Sequence, residues 1–211
     1  MTRQSILAIF FYATMFSSCD HSLTQETATY IPSDTSTSFK INNYWVTPKI
    51  SFDFNSLGIS SGDTLNLVTC SEYVYAPFGL LTDKGQFKNS LLKDFTSNDT
   101  LLGLQGEWQI EAQTLKLNSN KLLLFFDNDS ESSKHSYILD GEIVDDKVQF
   151  SDKIKVGMSI EDFYKTFFDY FPTVLHRKYK IVELESCVTD VIHIYAFNNG
   201  QLSSVKFIGE R

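Results

Sequence analysis

Near the end of the chain Val191, His193, Tyr195 and Phe197 occupy alternate positions, Asn199-Gly200 follows, and Val205 and Phe207 resume the alternation. Period two puts such side chains on one face of a strand. Asn-Gly is a strong signal for a two-residue hairpin turn, because both residues tolerate positive φ. A chain with this pattern must build an antiparallel sheet with one aromatic face, and something must cover that face. The cover lies just upstream. Gly157-Met158 leads into Ser159-Ile160-Glu161-Asp162, where Ser159 can accept from the backbone N–H two or three residues on and Asp162 can reach back, as in a capping box. Ile160, Phe163, Phe167 and Tyr170 then recur at helical spacing, and Pro172 stops the helix. Residues 151–211 thus read as one helix followed by a three-stranded antiparallel meander, with the aromatic helix face on the sheet.

Residues 39–150 read mostly as strand. Ile50, Phe52 and Phe54 alternate with polar neighbours; Leu65 and Leu67 follow the turn Ser61-Gly62-Asp63; Tyr73 and Tyr75 flank Val74. Trp108, Ile110 and Ala112 share a face, and the apolar run Leu122 to Phe126 suits a strand buried on both faces. Asp145-Asp146 reads as a hairpin loop between Ile143-Val144 and Val148. Phe87, Leu91, Leu92 and Phe95 mark the one helical candidate of this region. The expected fold class is α+β, mostly antiparallel β, a β-rich front half followed by a helix packed on a three-stranded meander. With 18 Phe and 10 Tyr in a 42% hydrophobic chain there is ample material for a core.

The first residues have a different character. Arg3 precedes the apolar run Ser5 to Phe16, and Ser17-Ser18-Cys19 follows, the three-part layout of an export signal. Twelve apolar residues fall short of the roughly 20 that span a bilayer. Phe16-Ser17-Ser18-Cys19 resembles the bacterial lipobox, with Phe where that pattern usually has Leu. The resemblance implies cleavage after residue 18 and a diacylglycerol thioether on Cys19. Two or three acyl chains anchor durably, at about 0.8 kcal/mol per buried methylene. An ordinary signal peptide with a cysteine beside its cleavage site is the alternative. The implied location is the cell envelope, by preference at the outer membrane on its periplasmic or surface face, although Asp20 after the lipidated position leaves the choice of membrane open. Residues 1–18 are then the signal peptide and residues 19–38 a Ser/Thr-rich tether reaching about 60 Å at roughly 3.3 Å per residue.

Part of the C-terminal unit carries a second likeness. Ile154-Lys155-Val156-Gly157-Met158-Ser159, an amphipathic helix, His193-Ile194-Tyr195-Ala196-Phe197 and Ser204-Val205-Lys206-Phe207 resemble the SmpA/OmlA (BamE-like) outer-membrane assembly lipoproteins. That likeness covers the last third of the chain and implies a role in outer-membrane assembly. The family has two helices before its sheet and a Gly-x-Pro after the first, where this chain has Tyr170-Phe171-Pro172. Leu104-Gln105-Gly106-Glu107-Trp108 is similar to the G-x-W opening of lipocalin-like barrels but lies mid-chain, and a Trp packed in a sheet core is the simpler account.

Charge and motifs narrow the function. The net charge is −8, and loss of residues 1–18 makes it one unit more negative. Nucleic acid and broad contact with anionic lipid are disfavoured, because both need clustered Lys and Arg. Gly58-Ile59-Ser60-Ser61-Gly62 matches G-x-S-x-G but lacks the strand-to-helix setting of a nucleophile elbow and reads as a polar turn. His21, His135, His176 and His193 form no metal-binding spacing, and His193 reads as a sheet residue. Asp127-Asn128-Asp129-Ser130-Glu131 starts like a calcium loop, but Ser132 and Ile138 replace its Gly and Glu, so a solvated hairpin tip is expected. Cys70 and Cys187 can form one disulfide or remain two buried thiols, the latter slightly favoured because nothing in the sequence shows them adjacent. No catalytic constellation, cofactor or metal is expected. The expected role is a non-enzymatic binding or scaffolding module for another envelope protein. The alternative is a binder of a small apolar ligand or glycan in a cleft lined by aromatics such as Tyr44, Trp45, Tyr73 and Tyr75.

Overall fold

A computed structural model describes residues 30–82, 84–103, 109–127 and 135–209. The fold is α+β and mostly antiparallel. β1 (Phe39–Ile41), β2 (Tyr44–Pro48) and β9 (Phe168–Tyr170) make a small sheet in the order β1-β2-β9. The large sheet has nine strands. β3 (Phe54–Ser61) and β4 (Thr64–Thr69) form an N-terminal hairpin, while β5 (Thr96–Gly103), β6 (Gln109–Leu117), β7 (Asn120–Asp127) and β8 (His135–Ile143) run as a meander. β10 (Ile181–Ser186), β11 (Ile192–Asn198) and β12 (Gln201–Ile208) make a second meander that sits between these two groups. The spatial order is β3-β4-β10-β11-β12-β8-β7-β6-β5, and only the β4–β10 pair is parallel. Strands from residues 39–150 therefore flank those of 151–211 on both sides in one continuous sheet.

Cross-strand register builds the core in rows. One row runs Leu57, Leu67, Leu184, His193, Phe207, Gly141, Leu122, Leu115 and Ser97 across all nine strands. A Cβ on Gly141 would lie 2.7 Å from the Leu122 side chain, so the row closes only with glycine there. The aromatic face of this sheet is covered by α2 (Ile160–Phe167), whose Phe163 ring packs 4.9 Å from Tyr195 and 5.0 Å from Phe197. Ser159 caps that helix: its Oγ accepts from the Asp162 N–H at 3.0 Å. Rather than reaching back to the backbone, the Asp162 carboxylate receives the Ser159 hydroxyl at 2.7 Å. At the β11–β12 hairpin Asn199 and Gly200 both take positive φ, 49° and 75°, as the turn requires.

Several local expectations are corrected. Ile50–Phe52 is a 3-10 turn rather than strand; Phe52 turns into the core while Ile50 is 87% exposed, so their spacing of two does not share a face. Glu72–Tyr75 is a short helix, α1, not a strand, with Tyr73 and Val74 buried. The helical candidate at 87–95 is a 3-10 turn (Lys84–Asn89) followed by turns held by Ser90, which bury Phe87 and Leu92 but leave Leu91 exposed. No hairpin forms at Asp145-Asp146: a tight turn leads Val148 and Phe150 into the core, where a single bridge joins Gln149 to Lys155. In the 122–126 run Leu122, Leu124 and Phe126 are buried while Leu123 and Phe125 are half-buried, so the strand has one core face. α2 ends at Phe167, five residues before Pro172. The Lys49 N–H takes the Phe167 carbonyl, and the chain turns extended to pair β9 with β2. Pro172 instead opens α3 (Thr173–His176). The end of the expected tether is docked too: the Tyr30 ring stacks 3.6 Å from Tyr170, and its hydroxyl meets Thr47.

Candidate functional site

Where the 3-10 turn at Ile50–Phe52, the loop 151–158 and the first turns of α2 meet, they enclose an open groove of about 800 Å³. Its lining combines an apolar floor, Phe52 and Met158, with Lys49, Lys153, Lys155, Lys165, Asp152 and Asp162. Each charge is held differently. Lys49 donates from Nζ to the Lys165 carbonyl at 2.6 Å, which ties the small sheet to α2. Lys165 pairs with Glu161 one turn back at 2.7 Å, on an exposed face where such a pair is worth little. Lys153 sits at a loop tip with φ 61°, fixed by the bonds Phe150 N–H to the Ile154 carbonyl and Lys153 N–H to the Phe150 carbonyl. Lys153 and Lys155 have no ion-pair partner among the described residues. Partial burial raises the Asp152 pKa, an effect that Lys49 opposes.

A smaller pocket of about 290 Å³ shares Ser51, Phe52, Ser151 and Asp152 with the groove and reaches Tyr73. From there a polar chain runs into the core. The Tyr73 and Tyr195 hydroxyls meet at 3.0 Å, and Tyr195 Oη lies 3.2 Å from His193 Nδ1. Burial pushes both phenols above their ordinary pKa. Burial also pushes His193 down to about 3, against a hydrogen bond to the Val74 backbone. All three groups are therefore uncharged near neutral pH, and their bonds to one another satisfy polar atoms that would otherwise be costly in a core.

A third cleft, about 180 Å³, lies beside α2 and α3 and is lined by Tyr164, Phe168, Tyr170, Phe171 and His176. The Tyr164 ring stacks 3.9 Å from Phe171 and 5.1 Å from His176. Tyr164 Oη and His176 Nε2 are buried and have no hydrogen-bond partner among the described residues. Burial lowers the His176 pKa, and the Phe171 backbone opposes the shift.

The residues singled out in the sequence are dispersed. Cys19 and residues 20–29 lie outside the described residues, as do Trp108 and most of the Asp127–Glu131 loop. Cys70 and Cys187, slightly favoured above as free thiols, are joined as a disulfide. They follow β4 and β10, which run parallel with Thr69 opposite Ser186, so the next residue on each strand lands beside its counterpart. Gly58 to Ser61 lie within β3, and the turn falls at Gly62-Asp63; no elbow forms. His193 is a buried sheet residue. Tyr44 is exposed on β2, Trp45 stacks with Lys40, Tyr73 is core, and Tyr75 bonds Ser186 at 2.6 Å; the four do not line a common cleft. Among the described residues no helix is long and apolar enough to cross a membrane, and no three metal-ligating side chains cluster. No family model, curated protein or solved structure matches the chain. The groove lysines come from three separate segments, Lys49 beside β2, Lys153 and Lys155 in the loop and Lys165 on α2, so no short window of sequence joins them. The one local signal is Asp152-Lys153-Ile154-Lys155, whose lysines alternate with the buried Ile154.

Proposed function

We propose that this chain is a cell-envelope lipoprotein, anchored through acyl chains on Cys19, whose folded part is a non-enzymatic binding or scaffolding module for another envelope protein. The observation that carries the reading is the cysteine arrangement. Cys70 and Cys187 pair with each other, which suits an oxidising compartment and leaves Cys19, at the end of an apolar export-like run, as the odd thiol. In this reading α2 packed on the β10–β12 meander is the rigid platform, similar to the local unit of the SmpA/OmlA family. Outer-membrane assembly is then the kind of process it would serve. The groove beside α2 is the surface offered to the partner.

The test is metabolic labelling of the full-length chain with an alkynyl fatty acid in a bacterial host, with Cys19→Ala alongside. Label on the wild type that is lost in the variant, together with release of the variant from membranes, is the expected result. An unlabelled wild-type chain would overturn the proposal. A second reading, a small apolar ligand or glycan in an aromatic-lined cleft, draws support from the third cleft, where Tyr164, Phe168, Tyr170 and Phe171 supply an aromatic lining.

A further inference from the structure

The groove inverts the charge of the molecule around it. Four lysines and two aspartates line it, in a chain whose net charge is −8. We infer that it binds an extended, acidic segment of a partner protein, with carboxylates meeting Lys153 and Lys155; this rests on the binding-module reading and specifies the chemistry of the partner. Three features favour a peptide over other polyanions. The groove is open but narrow, bounded by the 3-10 turn, the loop and α2, a shape that fits a single extended segment better than a flat array of headgroups. The acidic body repels nucleic acid and anionic membranes, whose long-range fields act on the whole molecule rather than on one groove. The lining also mixes signs and polarity. Phe52 and Met158 can take an apolar side chain, and Asp152 can accept from backbone N–H groups of the segment, which a uniform polyanion lacks. Lys49 and Lys165 are tied to the Lys165 carbonyl and to Glu161, so Lys153 and Lys155, which have no ion-pair partner among the described residues, are the ones available to incoming carboxylates.

The test uses the full-length protein in non-ionic detergent and a fluorescein-labelled hexaglutamate peptide, followed by fluorescence anisotropy. Saturable binding is expected. It should weaken at least tenfold in the double variant Lys153→Glu/Lys155→Glu, stay unchanged in Lys206→Glu on the opposite face of the sheet, and weaken as salt rises and the screening length shortens. Near-UV circular dichroism of each variant confirms that the fold is retained. Absence of saturable binding, or binding indifferent to the Lys153/Lys155 charges in a folded variant, would overturn the inference. So would lysine-dependent co-sedimentation with phosphatidylglycerol vesicles in place of peptide binding. Fatty-acid labelling reads out independently of all these measurements, so failure of the anchor and failure of the groove are told apart.

Discussion

His193 sits in surroundings far from those of an ordinary imidazole. It lies mid-row in the nine-stranded sheet, 1% exposed, against Tyr195, with Phe207 4.8 Å away ring to ring. Burial holds its pKa at about 3 in the fold, against about 6.5 in an unfolded chain. The unfolded state thus binds a proton that the folded state refuses. Stability is intact above pH 6.5 and falls as pH drops toward 3, by an amount on the order of 4 kcal/mol from this one group. Urea denaturation at a series of pH values should show the decline. In His193→Gln, which keeps polar groups at that position without the titration, the slope between pH 6.5 and 4 should flatten markedly. An equal slope in both proteins would place the acid sensitivity elsewhere. Tyr73 and Tyr195, uncharged across this range, contribute hydrogen bonds and ring packing but no pH dependence.

Among the elements, α2 shows how a short helix is kept in place. Eight residues are too few to hold a helix in isolation, since nucleation costs more than so few bonds return. Three things hold it here: the Ser159 cap, the burial of Phe163, Tyr164 and Phe167, and the Lys49 backbone and side chain bonding carbonyls of its last turn. Ser159→Ala removes the cap and should cost about 1 kcal/mol, read as a lower urea midpoint with an unchanged m-value. The start of this helix was legible from Ser159 and the aromatic spacing, because both signals are local. Its end was not: Tyr170 continues the helical spacing, yet pairing of β9 with β2 draws residues 168–170 into a strand. Tertiary packing overrides local pattern again at Ile50–Phe52, where a 3-10 turn breaks the alternation of Ile50, Phe52 and Phe54, while at Glu72–Tyr75 the alternation of Tyr73 and Tyr75 is too short to separate a strand from a helix.

At the scale of the whole molecule, one long-range pairing is clamped covalently. β4 and β10 are 117 residues apart at their cysteines, and their parallel alignment joins the N-terminal hairpin to the C-terminal meander. A disulfide closing so long a loop restricts the unfolded chain strongly, by about 3–5 kcal/mol in the chain-entropy account. The double variant Cys70→Ser/Cys187→Ser should therefore unfold at much lower urea than the wild type. Reductant should lower the wild-type midpoint and leave the variant's where it is. A variant as stable as the wild type would show that β4–β10 pairing needs no clamp.

By itself the sequence determined the features that local physics writes into neighbouring residues. These are the α+β, mostly antiparallel class, the Asn199-Gly200 hairpin, the aromatic face of β11 and β12, and the capped helix beside them. Alternation, turn chemistry and capping all act within a few residues, so they can be read without a fold. Only the tertiary structure decided which strands are neighbours. That set the single nine-stranded sheet, the meeting of Cys70 with Cys187, the burial of His193 among hydroxyls, and the gathering of Lys49, Lys153, Lys155 and Lys165 around one groove. Those outcomes depend on pairings across more than a hundred residues, and the free energy that selects them comes from packing of the whole core, which no short window of sequence contains.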